Sequence, residues 1–255
     1  VPATSLETAG SSLSAEDIAP LLADKWVLGL AEMMNYPGVL FCDPGVLGKI
    51  EAARSRPVDG HAPGLSGKDL SAYVAAGVAS DHECTSVEEA REKLRLGMHI
   101  MIREGSTARN LRDLLPLVTP ENARRCMLVT DDRHPSDLIR EGHLDFLLRQ
   151  AVSQGLDPIL AIQMVTINPA EYFGLADKGA VVPGRRADLV VLSDLQDIRA
   201  EMVFRGGQLV AQDGQVLPGA IRPATTALRS SINVAPLAAD SFRVPAAGSR
   251  VRVIG

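Results

Sequence analysis

Five short apolar runs recur along the first 130 residues, and each closes on titratable side chains. Lys25 to Ala31 ends at Glu32. A brief run through Val58 leads to His61. Val78-Ala79-Ser80 ends at Asp81-His82-Glu83, and Met98 to Ile102 ends at Arg103-Glu104-Gly105-Ser106. Arg125 to Thr130 ends at two adjacent carboxylates, Asp131 and Asp132. Segments with helical spacing separate these runs. Neighbouring parallel strands need long crossovers, usually helices, so this rhythm predicts a parallel sheet or a β/α barrel.

The helical segments have readable ends. One short helix is expected within 44–56, and one over 68–76 closed by Gly77. Ser86-x-x-Glu89 is a capping-box pattern that opens a helix running to Leu96, before Gly97. Its charges, Glu88, Glu89, Arg91, Glu92, Lys93 and Arg95, read as a solvated face. Residues 107–115 predict a short helix, 135–154 a long one and 160–165 a shorter one. After Leu175 the texture turns to β. Residues 179–184 read as a turn-rich β segment, 187–192 as a strand, and 201–210 as a hairpin about Gly206-Gly207. From residue 217 the chain is only weakly patterned.

Several function classes drop out. Net charge is 26 − 31 = −5 without a long basic run, which argues against nucleic acid as partner. No apolar stretch approaches the roughly 20 residues of a membrane span, and no signal-peptide pattern is present. Three cysteines without a CxxC pair fit a reduced, cytoplasmic setting, with the thiols as small core residues. There is no GxSxG, GxxxxGK[ST] or strand-borne GxGxxG, and no HxE followed by PCxxC.

In a β/α barrel, catalytic groups sit at the C-terminal ends of strands. Glu32, His61, His82 and Asp131 hold such positions, with Arg103-Glu104 at a fifth. Imidazoles and carboxylates converging there predict a hydrolytic metal site, in which a cation lowers the pKa of bound water from about 15.7 toward about 7. Nitrogen and oxygen ligands without thiolate suit Zn, Mn or Fe. His99 falls inside a strand and reads as structural. His134 could line a pocket or cap the next helix. His143 reads as a mid-helix surface residue, and Asp132 as either a pocket or a turn residue.

The block Gly29-Leu30-Ala31-Glu32-Met33-Met34-Asn35-Tyr36-Pro37-Gly38-Val39 resembles a signature of the bacterial and archaeal adenine deaminases, members of the amidohydrolase superfamily. The likeness continues through 59–64, 81–83, 101–106, 130–133 and 141–143 to Gly184-Arg185-Arg186-Ala187-Asp188-Leu189. The resemblance implies a partial TIM-like metal-dependent hydrolase barrel over 1–175. It implies return strands of a small β-sandwich over 176–216, and a tail over 217–255 in which Val251-Arg252-Val253 begins a further β domain. It assigns Glu32 as bridging carboxylate, His61 and His82 as metal ligands, and Asp131 as the metal-touching proton shuttle, so that Glu32 and Asp131 are the catalytic pair. Arg103, Glu104, Asp132 and His134 fall in blocks that frame the purine. The implied cofactor is divalent Mn or Fe, with Zn as an alternative, and the implied reaction is adenine plus water to hypoxanthine plus ammonia. The family's HxH pair is not among these 255 residues, whose histidines are at 61, 82, 99, 134 and 143. The chain therefore reads as the middle of a longer protein, with little activity expected alone. Its expected partner is a complementary chain carrying HxH, or further copies of itself. The competing readings are a different amidohydrolase, acting on a cyclic amide or N-acyl group, and a non-catalytic remnant that binds a partner.

Overall fold

The computed structural model describes residues 11–220, 234–245 and 248–250. The chain divides into two units, residues 1–220 and 221–255. In the second unit a single 3-10 turn, Ala239–Phe242, is present among the described residues. The expected strand start at Val251 lies outside the described residues.

The first unit alternates helices and strands. In order they are α1 (Ala15–Leu22), β1 (Leu30–Met33), α2 (Tyr36–Leu40), α3 (Pro44–Ala52), β2 (Val58–Gly60), α4 (Gly67–Ala75), β3 (Ser80–Asp81), α5 (Val87–Arg95), β4 (His99–Arg103), α6 (Leu111–Leu114) and β5 (Cys126–Val129). Then come α7 (Pro135–Arg140), α8 (Leu144–Ser153), α9 (Pro158–Val165) and α10 (Ile167–Tyr172). Four further strands follow, β6 (Leu189–Leu192), β7 (Ala200–Arg205), β8 (Gln208–Gln212) and β9 (Gln215–Val216). β1 to β5 form one parallel sheet in sequence order, as expected of part of a β/α barrel. β6 to β9 form a separate antiparallel sheet.

The sheet buries two adjoining cores. Met33, Val58, Leu70, Tyr73 and Met98 pack around β1–β3, and Ile100, Ile102, Leu128, Leu147 and Met164 around β4–β5. Ile198, before β7, is fully buried in the second core and ties the antiparallel segment to it. Tyr73 of α4 crosses the first core to the strand ends. Its hydroxyl donates to Met33 O at 2.6 Å and accepts from His61 N at 3.2 Å.

Several expected elements differ. The first strand is Leu30–Met33, not 25–31, because its position is set by pairing Leu30 with Val58 and Met33 with Gly60. Trp26 is 78% exposed, in a turn held by Asp24, whose carboxylate accepts from Trp26 N. The helix expected over 135–154 breaks into α7 and α8 at Gly142, whose φ of +109° no helix tolerates. His143 is consequently the N-cap residue of α8 rather than mid-helix. The helix expected over 107–115 shrinks to α6 and a 3-10 turn. Residues 179–184 turn but form no strand. Cys42 is exposed, while Cys84 and Cys126 are buried as expected, and all three are free thiols. No helix of the described residues is long and apolar enough to cross a membrane.

The face of α5 is not wholly solvated. Ser86 Oγ accepts from Glu89 N at 3.3 Å, the first half of the capping box. The Glu89 carboxylate does not return to Ser86; it accepts from Thr85 N and Gly64 N. Lys93 is fully buried.

Candidate metal centre

The strand register brings β1, β2 and β3 to a common end, where Glu32, His61 and His82 emerge. One ligand atom from each lies within 4.8 Å of the others. Glu32 Oε2 is 2.6 Å from His82 Nε2 and 3.6 Å from His61 Nδ1. The two imidazoles meet edge to face with centroids 5.3 Å apart. Asp131, just past β5, shares a second group with His82 and Glu83. Its backbone is left-handed, with φ at +51°, a conformation aspartate tolerates better than most side chains.

Two participants carry no sequence flag of their own. Glu83 Oε1 lies 3.6 Å from His61 Nδ1 and 3.8 Å from His82 Nε2. Asp59 Oδ2 pairs with His82 Nδ1 at 3.1 Å, and Asp59 Oδ1 accepts from Ser80 Oγ, which in turn meets the Tyr172 hydroxyl. A carboxylate on Nδ1 fixes the imidazole tautomer and turns Nε2 toward Glu32. Asp59 and His61 stand two apart across β2, so alternation puts them on one face; that spacing was the available signal for Asp59. For Glu83 the signal was only its adjacency to His82.

The donor set fits a cation. His61 Nδ1 is buried without a hydrogen-bond partner, although two carboxylate oxygens face it at 3.6 Å. Those gaps are too long for hydrogen bonds. Two imidazoles with two carboxylates are divalent-metal ligands of Zn, Mn or Fe type. Burial works against charge on His82, but the Asp59 and Glu32 carboxylates outweigh it and push the imidazole up to about 10. The hydrogen bond from His82 in turn lowers Glu32, against burial. A cation taking Nε2 therefore competes with a proton.

The remaining expected site residues lie elsewhere around this end of the sheet. The Arg103 guanidinium is buried and engaged, donating to both oxygens of Glu83, to Asp131 Oδ2 at 2.9 Å and to Asn110 Oδ1. Glu104 is half-buried; its carboxylate accepts from Leu111 N, and burial raises its pKa. Asp132 accepts from Thr107 Oγ1 at 2.8 Å, and its backbone carbonyl accepts from Ser106 N, so it pins the two loops together. His134 is exposed and caps α7 without a side-chain bond; its N–H donates to Ser106 Oγ. His99 packs its ring against Tyr172 at 4.7 Å, and His143 meets Thr130 Oγ1 at 3.1 Å. None of Glu104, Asp132 and His134 joins the His61–His82 cluster.

Residues 2–210 match the model of the amidohydrolase family. The chain belongs to the amidohydrolase family. This amidohydrolase chain is 53% identical over 256 residues to the adenine deaminase of Desulfatibacillum aliphaticivorans, covering 100% of itself and 45% of that protein. It is 51% identical over 257 residues to the adenine deaminase of Nitratidesulfovibrio vulgaris strain DP4, and 48% over 255 residues to adenine deaminase 2 of Carboxydothermus hydrogenoformans, with the same two coverages. The chain thus spans under half the length of these relatives. Among solved structures it is similar in fold to the beta-aspartyl dipeptidase of Fervidobacterium islandicum AW-1, with a TM-score of 0.58 and 16% identity over 80% of this chain and 62% of that one. An enamidase of the amidohydrolase superfamily aligns with a TM-score of 0.53 and 17% identity over 66% and 51%. Amidohydrolases are metal-dependent, and the Glu32, His61 and His82 cluster is where this one gathers metal-ligand side chains.

Proposed function

We propose that the chain carries the strand-end metal site of an adenine deaminase, converting adenine and water to hypoxanthine and ammonia. The observation that carries this reading is the Glu32–His61–His82 cluster, set in a chain about half identical along its whole length to proteins named adenine deaminase. Glu32, His61 and His82 hold a divalent ion, Mn or Fe with Zn as the alternative, and Asp131 touches the metal site from the end of β5. Such an ion, when bound, supplies Lewis acidity and lowers the pKa of water. Asp131 takes a proton from the water that adds to purine C6 and passes it to ring N1; the remaining hydroxyl proton of the tetrahedral adduct then goes by way of Asp131 to the exocyclic amine, which leaves as ammonia as the C6 carbonyl forms. Asp59, paired with His82 Nδ1, keeps that ring turned into the site. Arg103, bonded to Glu83 and Asp131, holds these two carboxylates side by side. Glu104, Asp132 and His134, on the loops after β4 and β5, remain to frame the purine edge.

In this reading the barrel part covers 1–175, the β-sandwich return strands 176–216 and the tail 217–255. The buried thiols Cys84 and Cys126 suit a reducing, cytoplasmic setting. A complementary segment bearing HxH completes the site, and further copies, which carry no HxH in these 255 residues, associate without completing it.

The test is ammonia release with Mn²⁺ from adenine, adenosine and a cyclic amide. The 255-residue chain alone is expected to turn over adenine poorly. Co-expression with a segment carrying the HxH strand is expected to raise adenine turnover alone, and Asp131→Asn to abolish that gain. Release from the cyclic amide instead, or none from adenine in the completed assembly, contradicts the proposal.

A further inference from the structure

Lys93 sits on α5 among Glu88, Glu89, Arg91 and Arg95, yet its side chain is fully buried. A buried ammonium is costly unless its protons are met. Here it donates to Glu89 Oε1 at 2.7 Å and Ala62 O at 2.8 Å, and pairs with the Asp81 carboxylate, Oδ2 at 3.3 Å. The two carboxylates then grip backbone on both ligand-bearing loops. Asp81 Oδ2 accepts from Ala62 N at 2.9 Å, and Asp81 Oδ1 from Glu83 N at 2.7 Å. Glu89 accepts from Gly64 N at 2.9 Å and from Thr85 N at 3.1 Å. Ala62, next to His61, is therefore held at both its carbonyl and its N–H. Glu83, next to His82, is held at its N–H by the same aspartate.

We propose that Lys93, Asp81 and Glu89 form a buried clasp that sets the separation of His61 from His82 and Glu83, and so pre-positions the cation-binding atoms. None of the three belongs to the donor set; each is a positioning residue. The geometry separates this role from general packing. Five backbone groups on two loops end on one charged triad. The inference rests on reading the Glu32–His61–His82 cluster as a divalent-metal site.

Three forms of the full 255-residue chain test it: unaltered, Lys93→Met, and the double variant Lys93→Met with Asp81→Asn. The single variant strands a buried carboxylate and loses thermal stability. The double variant also removes the fully buried Asp81 charge and leaves Glu89 with its Gly64 and Thr85 donors, so part of that stability returns. Mn²⁺ affinity is not expected to return with it. Supporting groups around metal ligands commonly govern affinity by about 10–100-fold, so the double variant should bind Mn²⁺ at least about tenfold more weakly than the unaltered chain, with a changed Co²⁺ absorption spectrum. If Mn²⁺ affinity recovers in step with stability, the three residues are merely structural and the proposal is overturned. Amide hydrogen exchange without metal reads the clasp independently. Ala62, Gly64 and Glu83 should lose protection in the double variant while Ile100 and Ile102 keep theirs; unchanged protection also overturns the proposal. Should Lys93→Met not fold, Glu89→Gln gives the same readings at its own two contacts, Gly64 and Thr85. An unaltered chain that binds no Mn²⁺ counts against the metal reading, and amide exchange still decides the clasp.

Discussion

Gly60→Ala is expected to destabilise the chain by about 2–3 kcal/mol, the upper part of the usual range for overpacking. A methyl at this position falls 2.5 Å from Ser80 O, 2.8 Å from Val78 Cγ1 and 2.9 Å from the Tyr73 hydroxyl. The first contact is strand backbone, paired in the sheet, and it cannot swing aside. Alanine returns roughly 0.5–1 kcal/mol through a less flexible unfolded chain, so the clash wins. The consequence reaches the site, because Tyr73 bonds both Met33 O and His61 N. Displacing it moves the chain beside Glu32 and His61 together. Urea unfolding of Gly60→Ala checks the magnitude; stability equal to or above that of the unaltered chain refutes this packing account.

Lys93→Met is expected to cost about 3 kcal/mol near neutral pH, the low end for breaking a buried ion pair, since Asp81 keeps its two backbone donors. The cost should depend on pH in a defined way. Burial opposes the Lys93 charge, but Asp81 outweighs it and raises the lysine above its ordinary 10.5. A raised lysine contributes stability that is fully present below 10.5 and is lost as pH climbs through the folded value. Burial likewise opposes the Glu89 charge, and Lys93 together with backbone donors overcomes it, leaving Glu89 below its ordinary 4.5. That contribution is present above 4.5 and is lost as pH falls through the folded value. The stability gap between the unaltered chain and Lys93→Met should therefore be widest between about pH 5 and 10 and narrow on both sides. Urea midpoints across pH measure it. A gap that is flat, or that widens toward either extreme, contradicts the pairing.

Much of the site was legible in the sequence because strand ends are marked chemically. An apolar run that stops on histidine or a carboxylate announces both its burial and its exit. The Glu32, His61, His82 and Asp131 positions follow from that mark and from the family resemblance; the first three gather in one group, and Asp131 lies in a second with His82 and Glu83. What the sequence could not announce was partnership across the sheet. Asp59 and Glu83 look like ordinary neighbours of Gly60 and His82 until β2 and β3 are paired. Arg103 looked free to meet a purine, but once β4 lies beside β5 its guanidinium falls between Glu83 and Asp131. Lys93 was the sharpest failure. A helix bearing six charges reads as solvated, and only the approach of Ala62 and Asp81 converts one of them into a buried cation.

Backbone boundaries failed for a related reason. Apolar periodicity reports which residues avoid water, not which ones join a ladder. The run from Lys25 to Ala31 is apolar, yet register with Val58 and Gly60 starts the strand at Leu30. The pattern of 135–154 continues across Gly142, and only the left-handed backbone there, with Asp145 accepting from His143 N, shows that a new helix begins.

Titration of the 255-residue chain with Mn²⁺ tests whether Glu32, His61 and His82 form a divalent-metal site. The unaltered chain is expected to bind Mn²⁺. His82→Ala, which removes a ligand rather than a supporting group, should weaken binding by more than the roughly 10–100-fold typical of supporting residues. An unaltered chain that binds no Mn²⁺, or a His82→Ala chain that binds it equally well, contradicts the account.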